Sequence, residues 1–240
     1  MTSGDDRMVP DRGLGSPDVS DAADMRTLIL VPTDLERRMI EPIVAPALGA
    51  AGMLELCGFG PVAAAARTAL LVERLQPDRV VLVGIAGRLN DQLAIATAHR
   101  FAQVACFGIG VGSGEAFLPA GAAEWPQWPG DPGDGSPAIG DLIDCGSGSA
   151  APGAGLLLTA CAASATPDDV RLRKRWFPAA AAEDMEGFAV AFACRLRGVP
   201  LDVIRGISNT AGDRDKTRWD IPGGLRAAGD LAVQTIAEAP

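Results

Sequence analysis

The chain has 240 residues, 48% of them hydrophobic, and a formal net charge of −9. That length and apolar share suit one sizeable domain with an ordinary core. An acid excess with no Lys/Arg run excludes a basic nucleic-acid face and disfavours an anionic membrane surface, which leaves a small molecule as the expected partner. No apolar run approaches the length of a membrane span, and the N-terminus lacks an apolar secretory core. The five cysteines (Cys57, Cys106, Cys145, Cys161 and Cys194) are scattered and never form a CxxC pair. They read as reduced thiols of a cytoplasmic protein, with no disulfide framework, no metal site and no cofactor implied.

Residues 1–24 are rich in Asp, Gly, Ser and Pro and read as a disordered extension, so the domain is expected over 25–240. The apolar run Thr27–Val31 predicts a buried strand, and Pro32-Thr33-Asp34 a turn with a helix cap. A helix follows over Leu35–Leu48, shortened or kinked by Pro42 and Pro46. Leu54–Cys57 predicts a second strand, Gly58-Phe59-Gly60-Pro61 a turn, and Val62–Leu75 an amphipathic Ala-rich helix. Arg79–Val83 is the clearest buried strand and runs into Gly84-Ile85-Ala86-Gly87, small residues that let a backbone approach a ligand. Leu93–Thr97 and Arg100–Cys106 read as two further strands, and 108–153 as a long loop, either a lid or disordered. Leu156–Thr159 predicts a strand, Thr166-Pro167-Asp168 opens a helix to about Trp176, and Gly187–Arg197 reads as a buried helix. Leu201–Arg205 predicts another strand, and Asp220-Ile221-Pro222 caps a last helix to about Ala237. Alternating strands and helices make this an α/β protein with a parallel or mixed sheet covered on both faces. Ligands of such sheets bind at the carboxyl ends of strands. Gly84–Gly87, Ser164–Thr166, Glu183–Glu186 and Ser208–Asn209 all fall near that edge.

Glu183-Asp184-Met185-Glu186 places three acids in four residues at the predicted start of a buried helix. A helix N-terminus attracts acids through its dipole, which accounts for Glu183 or Asp184 alone. Glu186 precedes Gly187 and an apolar run, so it is expected to be partly buried, and a buried carboxylate needs a partner or a function. Two side-by-side acceptor oxygens suit a vicinal diol such as the 2′,3′ pair of a ribose. Ser208 and Asn209 follow a strand and read either as turn residues or as polar groups for a purine edge. Glu36 is an ordinary first-turn acid or a carboxylate that activates water. His99, the one histidine, has no nucleophilic context and reads as structural, and Gly108–Gly112 resembles a phosphate loop only superficially.

Together these segments resemble the nucleoside phosphorylase and nucleosidase superfamily. The resemblance rests on Gly84–Gly87, Glu183–Gly187 and Arg205–Asn209, and it spans residue 25 to the C-terminus. Within the superfamily the chain resembles the futalosine hydrolase group through Val31–Glu36, Met185–Gly187, Ile207–Lys216 and Trp219-Asp220-Ile221. The resemblance implies a three-layer α/β/α sandwich around a mixed central sheet and a homo-oligomer of two or more copies. It implies that Glu36 activates water and that Met185 and Glu186 hold the sugar. Asp184, Ala86, Gly87, Ser164, Ala165 and Thr166 would line the substrate. Asn209 would contact the base; adenine-cleaving members usually carry Asp there, and enzymes for 6-oxopurines often carry Asn. Phosphorylases of the superfamily place an arginine and a serine where this chain has Leu82 and Ile85, which implies water as nucleophile. Ala165 within Ser164-Ala165-Thr166, and Arg88, depart from the group's usual pattern.

Overall fold

The computed structural model describes residues 25–133, 135–146 and 155–238. The N-terminal segment 1–24, expected to be disordered, lies outside those residues. In chain order the first half runs β1 Thr27–Val31, α1 Asp34–Val44, β2 Met53–Leu56, α2 Pro61–Leu75, β3 Arg79–Arg88, β4 Ala98–Phe101 and β5 Gln103–Phe107. Two short strands (β6 Gly110–Val111 and β7 Leu118–Pro119) and β8 Leu142–Asp144 follow, then β9 Leu156–Ala160 and α3 Pro167–Trp176. The chain ends with β10 Ala180–Asp184, α4 Gly187–Leu196, β11 Leu201–Thr210 and α5 Ile221–Ala237.

The central sheet is mixed, and β3 is its hinge. One group of parallel strands, β2, β1, β3 and β11, carries antiparallel β4 on its outer edge. A second parallel group, β10, β9 and β5, runs the opposite way and ends in antiparallel β8. The groups meet on one side of β3. Its first residues, Arg79 to Leu82, pair with β1, whereas Gly87 and Arg88 pair with β10. Between them, around Gly84 and Ile85, β3 carries no strand partner on that side. The C-terminal ends of β1 and β10 both point into this gap. Strand ends with unused backbone groups are where polar chemistry can be placed without disrupting a ladder.

Side chains alternate across the sheet with period two. Leu28, Leu30, Val80 and Leu82 join a core with residues of α2 and α4, such as Ala64, Leu71 and Val190. Ile29, Val31, Val81 and Val83 join Ile40, Val44, Leu225 and Ala228 of α1 and α5. A third cluster includes Leu156, Leu158 and Phe177, next to α3. This is the three-layer α/β/α arrangement. Among the described residues no helix is long and apolar enough to cross a membrane.

Several expectations need correction. Leu93–Thr97 is a turn rather than a strand, with Ala96 at φ +62°. The single strand expected over Arg100–Cys106 is broken at Ala102: β4 pairs with β11 and β5 with β9, in different halves of the sheet. The acid-rich segment is not the start of a helix, because Ala180–Asp184 is a strand and the helix begins at Gly187. The small-residue turn 84–87 and the polar tip 206–210 are continuations of β3 and β11, each ten residues long. Described parts of the 108–153 loop form the β6–β7 hairpin, two 3₁₀ turns and β8, and they bury Phe117 and Ile139.

Candidate active site

The strand gap opens into a cavity of about 420 Å³. Its walls come from the ends of β1, β3, β10 and β11 and from the loops that follow them. Glu36 enters from the first turn of α1. Thr33 caps that helix by accepting from the Glu36 N–H at 3.3 Å, and its hydroxyl donates to Glu36 Oε2 at 2.7 Å. The Ile85 N–H, without a strand partner in the gap, donates to Glu36 Oε1 at 3.2 Å. Burial pushes the Glu36 carboxyl above its ordinary value, against the opposing pull of Arg205 and these donors. Gly84 is required at this point. A Cβ there would collide with the Arg205 guanidinium and lie 2.7 Å from Glu36 Oε1.

Arg205, on β11, is the charge at the centre of the site and has no solvent exposure. Its Nε and Nη2 both donate to Asp184 Oδ2, at 2.9 and 2.7 Å, and Nη2 lies 3.5 Å from Glu186 Oε2. Burial works against the cation, yet Asp184, Glu186 and Glu36 together hold its pKa raised. Asp184 is the most heavily engaged carboxylate of the site. Oδ1 accepts from Thr159 at 2.6 Å, and Oδ2 also accepts from the Gly187 N–H at 2.8 Å. Glu186 is different. Its one described hydrogen bond is from the Gly60 N–H, at 2.9 Å. Burial, with help from Asp184 and Glu36 and against Arg205, pushes it up to about 7.

Asn209 sits beyond a register shift that follows Ile207 in the β11–β3 pairing. Its Oδ1 accepts from Ser208 Oγ at 2.9 Å, which leaves the amide nitrogen as the outward group; Nδ2 donates to Thr210 O at 3.0 Å. Gly87 keeps room for it, since a Cβ there would approach Nδ2 to 3.3 Å. The opposite wall is Ala163 and Ser164. Ser164 gives both its N–H and its hydroxyl to Glu183, at 2.7 Å each. Glu183 is paired in turn with Arg173, which also donates to Ala162 O.

Of the residues expected at the substrate, Glu36, Ala86, Gly87, Ser164, Asp184, Met185, Glu186 and Asn209 line this cavity. Ala165 and Thr166 do not. The Thr166 hydroxyl and the Asp169 carboxylate form a reciprocal cap on α3. Arg88 does not reach the cavity wall either: it ties Thr210 Oγ1 to Leu93 O and pairs with Asp91. His99 meets Thr97 Oγ1 on β4, away from the cavity, and Gly110–Val111 is part of the hairpin. Arg205, Leu35, Phe59, Arg214 and Trp219 also belong to the site or its rim. Arg205 carries a signal, a charge at the end of a predicted buried strand; Phe59 has none beyond a turn motif.

A model of the phosphorylase superfamily matches residues 47–238, and the chain belongs to that family. The match begins after α1, so Glu36 rests on its geometry and on the motif around it. A 5′-methylthioadenosine/S-adenosylhomocysteine nucleosidase from Shewanella sp. (strain W3-18-1) is 31% identical over 192 residues, covering 75% of this chain and 78% of the relative. A futalosine hydrolase from Streptomyces coelicolor is 29% identical over 188 residues, covering 75% and 76%. A Helicobacter pylori futalosine hydrolase structure aligns with TM-score 0.69 at 16% identity, over 90% of this chain and 99% of that one. A Helicobacter pylori methylthioadenosine nucleosidase variant, with 5′-methylthioadenosine in its active site, aligns with TM-score 0.70, also at 16% identity. Both share the fold.

Proposed function

We propose that this chain hydrolyses the N-glycosidic bond of a purine nucleoside, and that futalosine is the substrate, giving hypoxanthine and dehypoxanthinyl futalosine. The observation that carries the reading is the pair of unevenly engaged carboxylates, Glu36 and Glu186, on either side of a buried arginine. Glycosidic cleavage passes through a sugar with oxocarbenium character and a base that gains negative charge. Glu186, with an acceptor oxygen to spare, holds the ribose hydroxyls. The Asn209 amide nitrogen donates toward the departing base. Glu36, kept basic by burial, takes a proton from the attacking water.

Water is favoured over phosphate on electrostatic grounds. Glu36, Glu183, Asp184 and Glu186 line the cavity, Arg205 is committed to Asp184, and Leu82 and Ile85 offer no charge. A phosphate dianion beside Ile85 would meet these four acids, with Arg205 already set against Asp184 and Glu186 and with Arg214 out among the exposed residues of the rim. The neutral Asn209 supports a 6-oxopurine over adenine. The test is incubation with futalosine in phosphate-free buffer, following hypoxanthine. Release without phosphate supports both parts of the reading. The nucleosidase relatives at 31% identity favour a second reading, hydrolysis of methylthioadenosine or adenosylhomocysteine. Adenine release from those nucleosides, with futalosine untouched, would select it. The reading also includes a homo-oligomer, supported by Leu35, Phe59 and Val62, large apolar side chains exposed on and near the cavity rim. Sedimentation as a monomer would remove that part.

A further inference from the structure

The walls assigned to sugar, base and water leave part of the cavity unassigned: Leu35, Phe59, Trp219 and Arg214. Leu35 and Phe59 are 57% and 65% exposed, so this part is its mouth. Arg214 is the one basic side chain among the described residues of the lining, and every other charged group there is an acid. Its neighbours in sequence do not neutralise it. Asp213 and Asp215 are both taken by Arg218, at 3.0 and 3.4 Å. Among the described residues Arg214 has no carboxylate partner. It lies over the indole of Trp219, 5.0 Å from the ring centroid. The indole is itself fixed by donation to Asp213 O at 3.1 Å. Stacking of this kind orients a guanidinium while leaving its edge N–H groups free.

We infer that Arg214 receives a carboxylate carried at the far end of the nucleoside's 5′ substituent, making it the residue that selects acid-tailed nucleosides. The inference rests on the nucleosidase reading and narrows its substrate class. With the base at Asn209 and the ribose hydroxyls at Glu186, the 5′ carbon is the position from which a chain can leave toward the mouth. Leu35, Phe59 and Trp219 give that chain an apolar path. Arg214 gives its end a planar, two-pronged donor that matches a carboxylate. The acids deeper in the cavity repel the same carboxylate, which also fixes which end of the ligand enters first.

The test uses two hypoxanthine nucleosides that differ only at the end of one 5′-linked aryl chain, a carboxylate in one and its primary amide in the other. Binding to the full chain carrying Glu36→Gln is measured by calorimetry, so the comparison does not need turnover. The expected result is tighter binding of the acid. The acid-to-amide affinity ratio falls about tenfold in Arg214→Gln, falls further in Arg214→Glu, and shrinks as salt is raised. Unchanged ratios in both Arg214 variants would overturn the inference and leave the nucleosidase reading standing. Equal losses for acid and amide would also overturn it, because the arginine would then serve the base or the fold. If neither compound binds, the inference and the nucleosidase reading fall together.

Discussion

Arg173 and Arg205 are both buried arginines set against carboxylates, and they do different work. Arg173 meets one acid, Glu183, and adds a hydrogen bond to Ala162 O. Glu183 in turn spends its remaining capacity on Ser164. That cluster balances charge one to one and fixes a wall. Arg205 meets three acids, Asp184, Glu186 and Glu36, and gives its side-chain hydrogen bonds to Asp184. One cation cannot neutralise three buried anions, so burial keeps protons on Glu186 and Glu36 beyond their ordinary range. The balanced pair fixes a wall, and the unbalanced cluster keeps the two titrating carboxyls on which the proposed hydrolysis relies.

The largest expected effect separates chemistry from scaffold at a single atom. Glu36→Gln should lower kcat/KM by about 10²–10⁴-fold, the range of a positioned base, with an unchanged circular dichroism spectrum. Turnover within about twofold of wild type would return Glu36 to the first-turn acids. Next come the arginines themselves. Removing one partner of a buried pair costs about 3–5 kcal/mol, and replacing both partners with apolar groups can restore it. Arg173→Met should therefore destabilise the protein, and Arg173→Met with Glu183→Leu should regain most of the loss in denaturant melts. Arg205→Met with Asp184→Leu should not, because Glu186 and Glu36 are still there without a cation. Equal recovery at both sites would erase the contrast.

The pH dependence sharpens the same contrast. Glu186 has a folded-state value of about 7 against an ordinary 4.5. Its contribution to stability is then full below pH 4.5 and is lost as the pH rises through about 7. Activity should move the other way, rising as Glu186 and Glu36 ionise. Melting temperature and kcat/KM measured across this window, with Glu186→Gln as reference, should show both slopes in wild type. The stability slope should flatten in the variant. The smallest effect belongs to a residue expected in the site but found outside it. Thr166→Ala should cost about 1 kcal/mol through loss of the α3 cap, with KM little changed. A large rise in KM would bring Thr166 back to the substrate.

Legibility in the sequence followed the physics of each segment. Strands whose burial shows as unbroken apolar runs, such as Thr27–Val31, and helices with explicit caps at Thr166 and Asp220, are readable locally. β10 is not, because Ala-Ala-Ala-Glu-Asp carries no strand preference; its pairing with β9 and β3 makes it a strand. The break at Ala102 is hidden for the same reason, since the two halves of that run pair with strands far apart in the chain. At the site, Glu36, Glu186 and Asn209 are visible through motif and spacing. The commitment of Asp184 to Arg205 and Thr159 is not, and neither is the mouth formed by Phe59, Trp219 and Arg214. Those depend on which loops meet over the gap.

The gap in β3 also has a kinetic meaning. Glu186 is anchored by the Gly60 N–H across 126 residues of chain, and Glu36 by the Ile85 N–H across 49. No contiguous fragment smaller than most of the domain contains a working site, and loops this long close late in folding. Catalytic activity should therefore report the assembly of the whole domain. In refolding it should return after helical signal has, and proteolytic nicking between the two halves of the sheet should silence it while much secondary structure survives.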